Sequence, residues 1–317
     1  MKDSNLRWFE YNSVYMTASR SLSIIIPTKN RAQALSQTLP TLLEQTTLPT
    51  EMIIVDQSNN DSTREIVKKL ETRLREHGAS APKFVYLYEP QISSAGTARN
   101  VAIEKATGDV LVFLDDDVLV EPRFLEEILA AYAQNSAIGG VSGVITNYPK
   151  PPLRQRWLTR LFWTGPFHDE RQPIYWQCDK LRKSGPFRVR KFGAGLMSVK
   201  RQALGDIRFD EFYKGSGEDV DVSWRISERF PLVMTPRARL VHVRTSEGLP
   251  RDHWLTSDAQ ASYFLYRRHW RHGIKNRLCF AWLNIGYAVV ATLASLRRGS
   301  LGPLRALREG LRLGSAT

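Results

Sequence analysis

Two stretches of this chain carry carboxylates where burial makes them costly. The first is "VLVFLDDDVLV", residues 110 to 120, in which Asp115, Asp116 and Asp117 interrupt a run that otherwise reads as a buried strand. No lysine or arginine lies within five residues on either side. Desolvating even one unpaired charge costs several kcal/mol. A hard divalent cation, Mn²⁺ or Mg²⁺, would supply the missing positive charge, since such ions take oxygen ligands and commonly one or two carboxylates. Along an extended strand Asp115 and Asp117 share a face while Asp116 points away, so the D-x-D spacing predicts two carboxylates beside one site. A solvated acidic turn is the plainer alternative. The second stretch is "GEDVD", where Glu218 and Asp219 open a segment that reads as a loop leading into a helix.

The elements that must position these groups are legible in the first 120 residues. Four β-type runs, "LSIIIP" (22–27), "EMIIVD" (51–56), "KFVYLYE" (83–89) and "DVLVFLD" (109–115), recur at roughly thirty-residue spacing. Helix-like segments separate them; the second, "STREIVKKLETRLRE", has cap candidates Asp61 and Ser62 and apolar residues at Ile66, Val67, Leu70 and Leu74. Continuous apolar strands alternating with helices predict a doubly wound, mostly parallel α/β sheet covered on both faces. Polar residues gather where each run ends: Pro27 to Asn30, Asp56 to Ser58, Glu89, and Asp115 to Asp117. In open α/β sheets ligands bind outside the carboxyl ends of the strands. Beyond Asp117, "EPRFLEEILAAYAQ" predicts a helix opened by Pro122, and residues 146–186, rich in Pro, Trp, Phe and Arg, read as an irregular flap.

Charge is unevenly placed along the chain. Of a net +13, the segment from Arg237 onward holds fourteen Lys and Arg against four Asp and Glu. Such a segment suits an anionic partner, either a membrane face or nucleic acid. Residues 278–296 run for nineteen positions without a charge and are flanked by Arg277 and by Arg297-Arg298. An amphipathic helix lying in a membrane interface fits best, with a span and a buried helix as alternatives, because Asn284, Gly286, Thr292 and Ser295 dilute the hydrophobicity. The N-terminal residues lack the continuous apolar core of a signal peptide. Cys178 and Cys279 show no metal-type spacing, which predicts a reduced, cytoplasmic chain.

The order "SIIIPTKNR", "IIVDQSNNDST", "GTARNVAIEKATGDVLVFLDDDV", "FGAGLMSVKRQAL", "GEDVDVSWRI" resembles the family 2 glycosyltransferases of the GT-A fold, of the bacterial polysaccharide or lipid-linked glycan type. The resemblance runs from about Ser23 to Arg229. It implies a metal-dependent, inverting transfer from a nucleotide-diphospho-sugar, with a UDP-sugar favoured, to a glycan or lipid-linked acceptor. Implied nucleotide contacts are Pro27, Thr28, Asp56, Arg99, Asp115 and Asp116. Asp56 would hold the base or ribose, an Asx turn being its alternative; Arg99 could equally be a helix-surface arginine. Asp117 would be the principal metal ligand, with Asp115, and His242 as a third contact unless it is an ordinary strand residue. Asp219 is implied as the general base and Glu218 as its understudy. A first-turn position should favour the ionised carboxylate and weaken it as a base. Processive members carry QxxRW, whereas only "SWR" appears here, which implies a non-processive enzyme.

These readings divide the chain into an N-terminal extension (1–20), a nucleotide-sugar half (21–120), an acceptor-binding half (121–245) and a basic helical tail (246–317). Residues 265–312 would meet an anionic membrane from its inner face. A non-catalytic membrane or nucleic-acid binding protein on the same scaffold is the alternative. No helix-turn-helix, RNP or zinc-finger pattern supports nucleic acid, and a nucleic-acid binder gains nothing from acidic strand ends. A sugar nucleotidyltransferase or dinucleotide oxidoreductase would need glycines that "PTKNRAQAL" lacks.

Overall fold

In a computed structural model, the structure describes residues 21–76, 81–147, 152–163, 185–193, 195–213, 217–243, 252–270 and 272–315. The expected N-terminal extension lies outside the described residues. The chain begins with β1 (Leu22–Thr28), α1 (Ala32–Leu43), β2 (Glu51–Asp56), α2 (Ser62–Glu76), β3 (Lys83–Tyr88), α3 (Ala95–Lys105), β4 (Val110–Leu114) and β5 (Val118–Val120). It continues through α4 (Phe124–Gln134), β6 (Gly140–Ile145), α5 (Leu153–Phe162), β7 (Phe187–Val189), β8 (Leu196–Lys200), α6 (Arg201–Leu204), α7 (Glu218–Ser227) and β9 (Leu232–His242). The last helices are α8 (His253–Leu265), α9 (Ile274–Arg298) and α10 (Gly302–Ser315), with a π-helical turn at Tyr266–Trp270 after α8.

The nine strands form one sheet in the order β3-β2-β1-β4-β8-β6-β9-β5, with β7 beside β9. Strands β1 to β4 are mutually parallel, as the continuous apolar runs predict. β8 runs antiparallel between β4 and β6. Alternate residues of β1 explain why both faces must be covered. Ile24 and Ile26 pack with Leu35, Leu39 and Leu42 of α1, while Ile25 packs with Ala98 and Ala102 of α3 and with Val222 of α7. Each isoleucine, leucine and valine among them contributes about 1.5–3 kcal/mol on burial. Because the chain steps outward from β1 through β2 to β3 and then returns through α3 to place β4 on the other side of β1, the switch point lies between β1 and β4.

The described residues fall into two compact units. The first holds the sheet with α1 to α4, α6 and α7; the second holds α5 with α8, α9 and α10. The second has its own core, in which Leu255 and Ala259 of α8 meet Leu283, Tyr287 and Ala291 of α9 and Leu307 of α10. The irregular flap expected over 146–186 is corrected here, since Leu153–Phe162 is the helix α5. Its prolines mislead because Pro152 stands at the N-cap, ahead of the first turn, where proline costs a helix little. Most of the remaining flap lies outside the described residues.

Candidate active site

The carboxyl ends of β1, β2 and β4 converge because register aligns them. Thr28 pairs with Asp56 across β1 and β2, and Ile25 with Phe113 across β1 and β4. At Leu114 the strand ends, and Asp115 to Asp117 form a turn into β5. The expectation that Asp115 and Asp117 meet along an extended strand is therefore corrected; the turn brings them together instead. Asp116 is directed elsewhere, its Oδ2 accepting from the Thr28 hydroxyl at 2.7 Å. The antiparallel pairing of Val118 with His242 then carries a histidine from β9 to the same place. One ligand atom each of Asp115, Asp117 and His242 lies within 4.8 Å of the others.

The positive charge missing from the local sequence comes from two distant arginines. Arg31, just before α1, pairs its Nη1 with Asp116 Oδ1 at 2.9 Å and its Nη2 with Asp117 Oδ2. Arg99 of α3 is buried and reaches Asp115 Oδ1 and Glu218 Oε1, both at 2.9 Å. Its guanidinium also stands over the Phe209 ring, 5.5 Å from the centroid. Arg99 is thus no helix-surface arginine. Burial still dominates at Asp116 and Asp115. It pushes Asp116 up to about 6, against the hydrogen bond from Thr28 and the charge of Arg31. Burial also raises Asp115, opposed by Arg99 and reinforced by Asp117.

A cation still has a place among these groups. Asp117 Oδ1 is buried without a hydrogen bond, 3.4 Å from His242 Nε2. Two carboxylates and an imidazole around an unbonded oxygen fit a divalent ion of the Mg²⁺ or Mn²⁺ type. Gly195 makes room for this cluster: at φ +76° it lies so close to Asp115 that a Cβ would sit 2.0 Å from Oδ2. The glycines of "FGAG" were the sequence signal for that approach, and Arg31 in "PTKNR" was the signal for the second cation.

Glu218 and Asp219 occupy the first turn of α7, both buried. Glu218 spends one oxygen on Arg99 and leaves Oε2 buried without a partner. Burial, and then the neighbouring Glu218 charge, push Asp219 up to about 7, while the Val220 amide and Arg99 oppose the rise. The expectation that the helix terminus would keep Asp219 a weak base is therefore corrected, because desolvation outweighs the dipole. Glu51, buried at the other end of β2, behaves differently. Against the upward push of burial, hydrogen bonds from Ser23 and Thr107 hold its carboxyl low. That carboxylate is satisfied within the fold, whereas Glu218 is satisfied only on one side.

Asp56 is fully buried at the end of β2, closing an Asx turn with the Ser58 amide at 2.9 Å and accepting from the Tyr86 hydroxyl. The turn alternative is therefore real geometry, and two of the carboxylate's acceptor positions are already used. Pro27 lies buried one residue before Thr28, paired with Val55. Asn100 holds the Phe209 backbone through both its side-chain atoms at 2.8 Å, so it positions the ring beneath Arg99. Arg225 is tied to Asp221 at 2.6 Å.

Comparisons with known proteins give the family and the fold. The sequence model of Glycosyl transferase family 2 matches residues 23–194. A validoxylamine A glucosyltransferase of Streptomyces hygroscopicus subsp. limoneus is 28% identical over 261 residues, covering 76% of this chain and 54% of that protein. The chain thus spans about half the length of the curated relatives that it matches first. Among solved structures, the mannosyltransferase PcManGT from Pyrobaculum calidifontis, in complex with GDP-Man and Mn²⁺, superposes with a TM-score of 0.59 at 18% identity, covering 97% of this chain and 89% of that one. GalNAc-T7 with UDP, GalNAc and Mn²⁺ gives 0.56 at 18% identity, covering 81% and 50%. At that identity these likenesses establish the fold, which is GT-A.

Proposed function

The chain belongs to glycosyl transferase family 2, and on that premise we propose a metal-dependent, inverting transfer of a sugar from a nucleotide-diphospho-sugar to an acceptor hydroxyl. The acceptor is a glycan or lipid-linked glycan, and the transfer is non-processive. The observation that carries this reading is Arg99, which joins Asp115 of the acidic turn to Glu218 of the carboxylate pair. One buried guanidinium thereby makes a single site of two clusters 103 positions apart in sequence.

Asp117, Asp115 and His242 would hold Mn²⁺ or Mg²⁺, whose chemistry there is to offset the charge that builds on a departing diphosphate. Pro27, Thr28 and Asp56 line the nucleotide side, with Asp56 accepting from a base imide or a ribose hydroxyl; a uridine nucleotide is favoured. Asp219 takes the acceptor's proton as that oxygen attacks the anomeric carbon opposite the nucleotide. One such displacement inverts configuration. A carboxyl raised to about 7 suits this work, because a base is most effective near the operating pH. Glu218 stays with Arg99 and keeps Asp219 protonatable through its charge. A purely binding role would leave this buried carboxylate pair without a use. The protein is taken to be cytoplasmic and peripheral on the inner membrane face, through residues 265–312.

The test is thermal stabilisation by UDP, dTDP, GDP and CMP, each with Mn²⁺ and with EDTA. Stabilisation by one diphosphate, lost on adding EDTA, is the expected result and identifies the donor base. Stabilisation indifferent to EDTA overturns the metal role of Asp117. Product configuration, read by NMR of the anomeric proton, then tests inversion.

A further inference from the structure

The second unit leaves apolar side chains outside. In α9, Cys279, Leu283, Tyr287 and Ala291 are buried within the unit. The opposite face carries Ile274, Leu278, Ile285 and Leu296, with exposed Ala281, Ala288 and Thr292 between Leu278 and Leu296 and exposed Lys275 and Arg277 beside its first turn. Ile274 is 78% exposed and Leu296 75%. From Ile274 to Leu296 the helical rise makes this stripe about 33 Å long.

A second stripe lies on α5, where Leu153, Trp157 and Leu161 recur at intervals of four. Leu153 is 71% and Trp157 69% exposed. The two helices are packed together. Trp282 Nε1 of α9 donates to the Leu161 carbonyl at 2.9 Å, and the Phe162 and Trp282 rings are 5.3 Å apart. Gly286 permits the approach, since a Cβ there would lie 2.6 Å from Phe162 Cβ.

Charge decides what could cover such a face. Neither α5 nor α9 contains an acidic residue. The described residues of the second unit hold twelve Lys and Arg against three Asp and Glu. Arg305, Arg308 and Arg312 of α10 are exposed, at spacings of three and four. A second copy would set cations against cations, which is unfavourable. A span would set α9 in lipid all round, and a third of its apolar stretch is covered by the unit's own core. An anionic lipid surface satisfies both the apolar stripes and the cations that α5 and α9 themselves carry.

We propose that α5 and the outer face of α9 together form a seat that beds into the interface of an anionic membrane. The inference rests on the peripheral placement proposed above and adds to it a helix from outside the C-terminal segment. It is independent of glycosyl transfer.

The test is cosedimentation of the full chain with phosphatidylcholine vesicles and with phosphatidylcholine–phosphatidylglycerol vesicles. The wild type is expected to pellet with the anionic vesicles and to be released by salt. Trp157→Glu and Ile285→Glu should each lower partitioning about tenfold or more, with UDP binding and melting temperature unchanged. Quenching by brominated lipid, taken as the difference between wild type and Trp157→Phe, should place Trp157 in contact with acyl chains. If Ile285→Glu releases the protein and Trp157→Glu does not, the α5 seat is overturned while the peripheral placement stands. A wild type that stays in the supernatant overturns both. A dimer by light scattering that Ile285→Glu dissociates, with lipid partitioning unaltered, assigns the face to a second copy and overturns the seat.

Discussion

The strand-end edge of the first unit and the outer helices of the second handle their costly groups in opposite ways. At the edge, carboxylates are buried and met by buried or half-buried cations: Arg31 on Asp116 and Asp117, Arg99 on Asp115 and Glu218. On α5 and α9, apolar side chains stand in the open and cations surround them with few acids near. A buried network fixes geometry, because each member is held by its neighbours and removal of one leaves another unpaired. An exposed stripe fixes none, and costs the isolated fold little to change. The first arrangement suits a small ligand that must be aligned to within tenths of an ångström. The second suits an extended surface that needs only to be apolar and anionic.

Substitutions can break or sharpen that contrast. The largest effect is expected from Asp117→Ala, which should abolish transfer and the EDTA-sensitive binding of nucleotide; calorimetry with and without Mn²⁺ checks it. Asp219→Asn should lower kcat by about 10²–10⁴ while nucleotide affinity stays within about twofold; equal loss of both would remove Asp219 from the base role. Arg99→Met strands Asp115 and Glu218, and should cost about 3–5 kcal/mol of stability in urea denaturation.

The pH dependence follows from the sign of the shifts. Asp219 and Asp116 titrate near 7 and near 6 when folded, against about 3.9 in an unfolded chain. The native state therefore binds more protons between these limits, and stability should fall as pH rises from about 4 to about 7. Activity that needs ionised Asp219 should rise over the upper part of the same range. Asp219→Asn should flatten both its share of the melting-temperature slope and the activity limb. The smallest effect belongs to the outer helices, where Ile285→Glu should change unfolding free energy by less than about 0.5 kcal/mol.

Most of the first four strands could be read from sequence because a parallel sheet covered on both faces demands unbroken apolar runs. The second helix was expected over 62–76 and forms at Ser62–Glu76. The acidic turn and Asp56 were legible as polar groups at strand ends, whereas Arg99, Glu218 and Asp219 were candidates through the family resemblance. Arg31 was passed over, since its partners are 85 and 86 residues away. The helix α5 was hidden by prolines that precede it rather than interrupt it.

The sequence alone determined the parallel half of the sheet, the edge at which chemistry gathers, and the family. These depend on local periodicity and on residue order, which a single chain displays. Tertiary structure alone decided which cation answers which carboxylate, that Asp219 is pushed up rather than held down, and that α5 joins the C-terminal helices. Those depend on burial and on distances between residues far apart in sequence. A carboxylate's charge is written in the chain, but its desolvation is set by what folds around it.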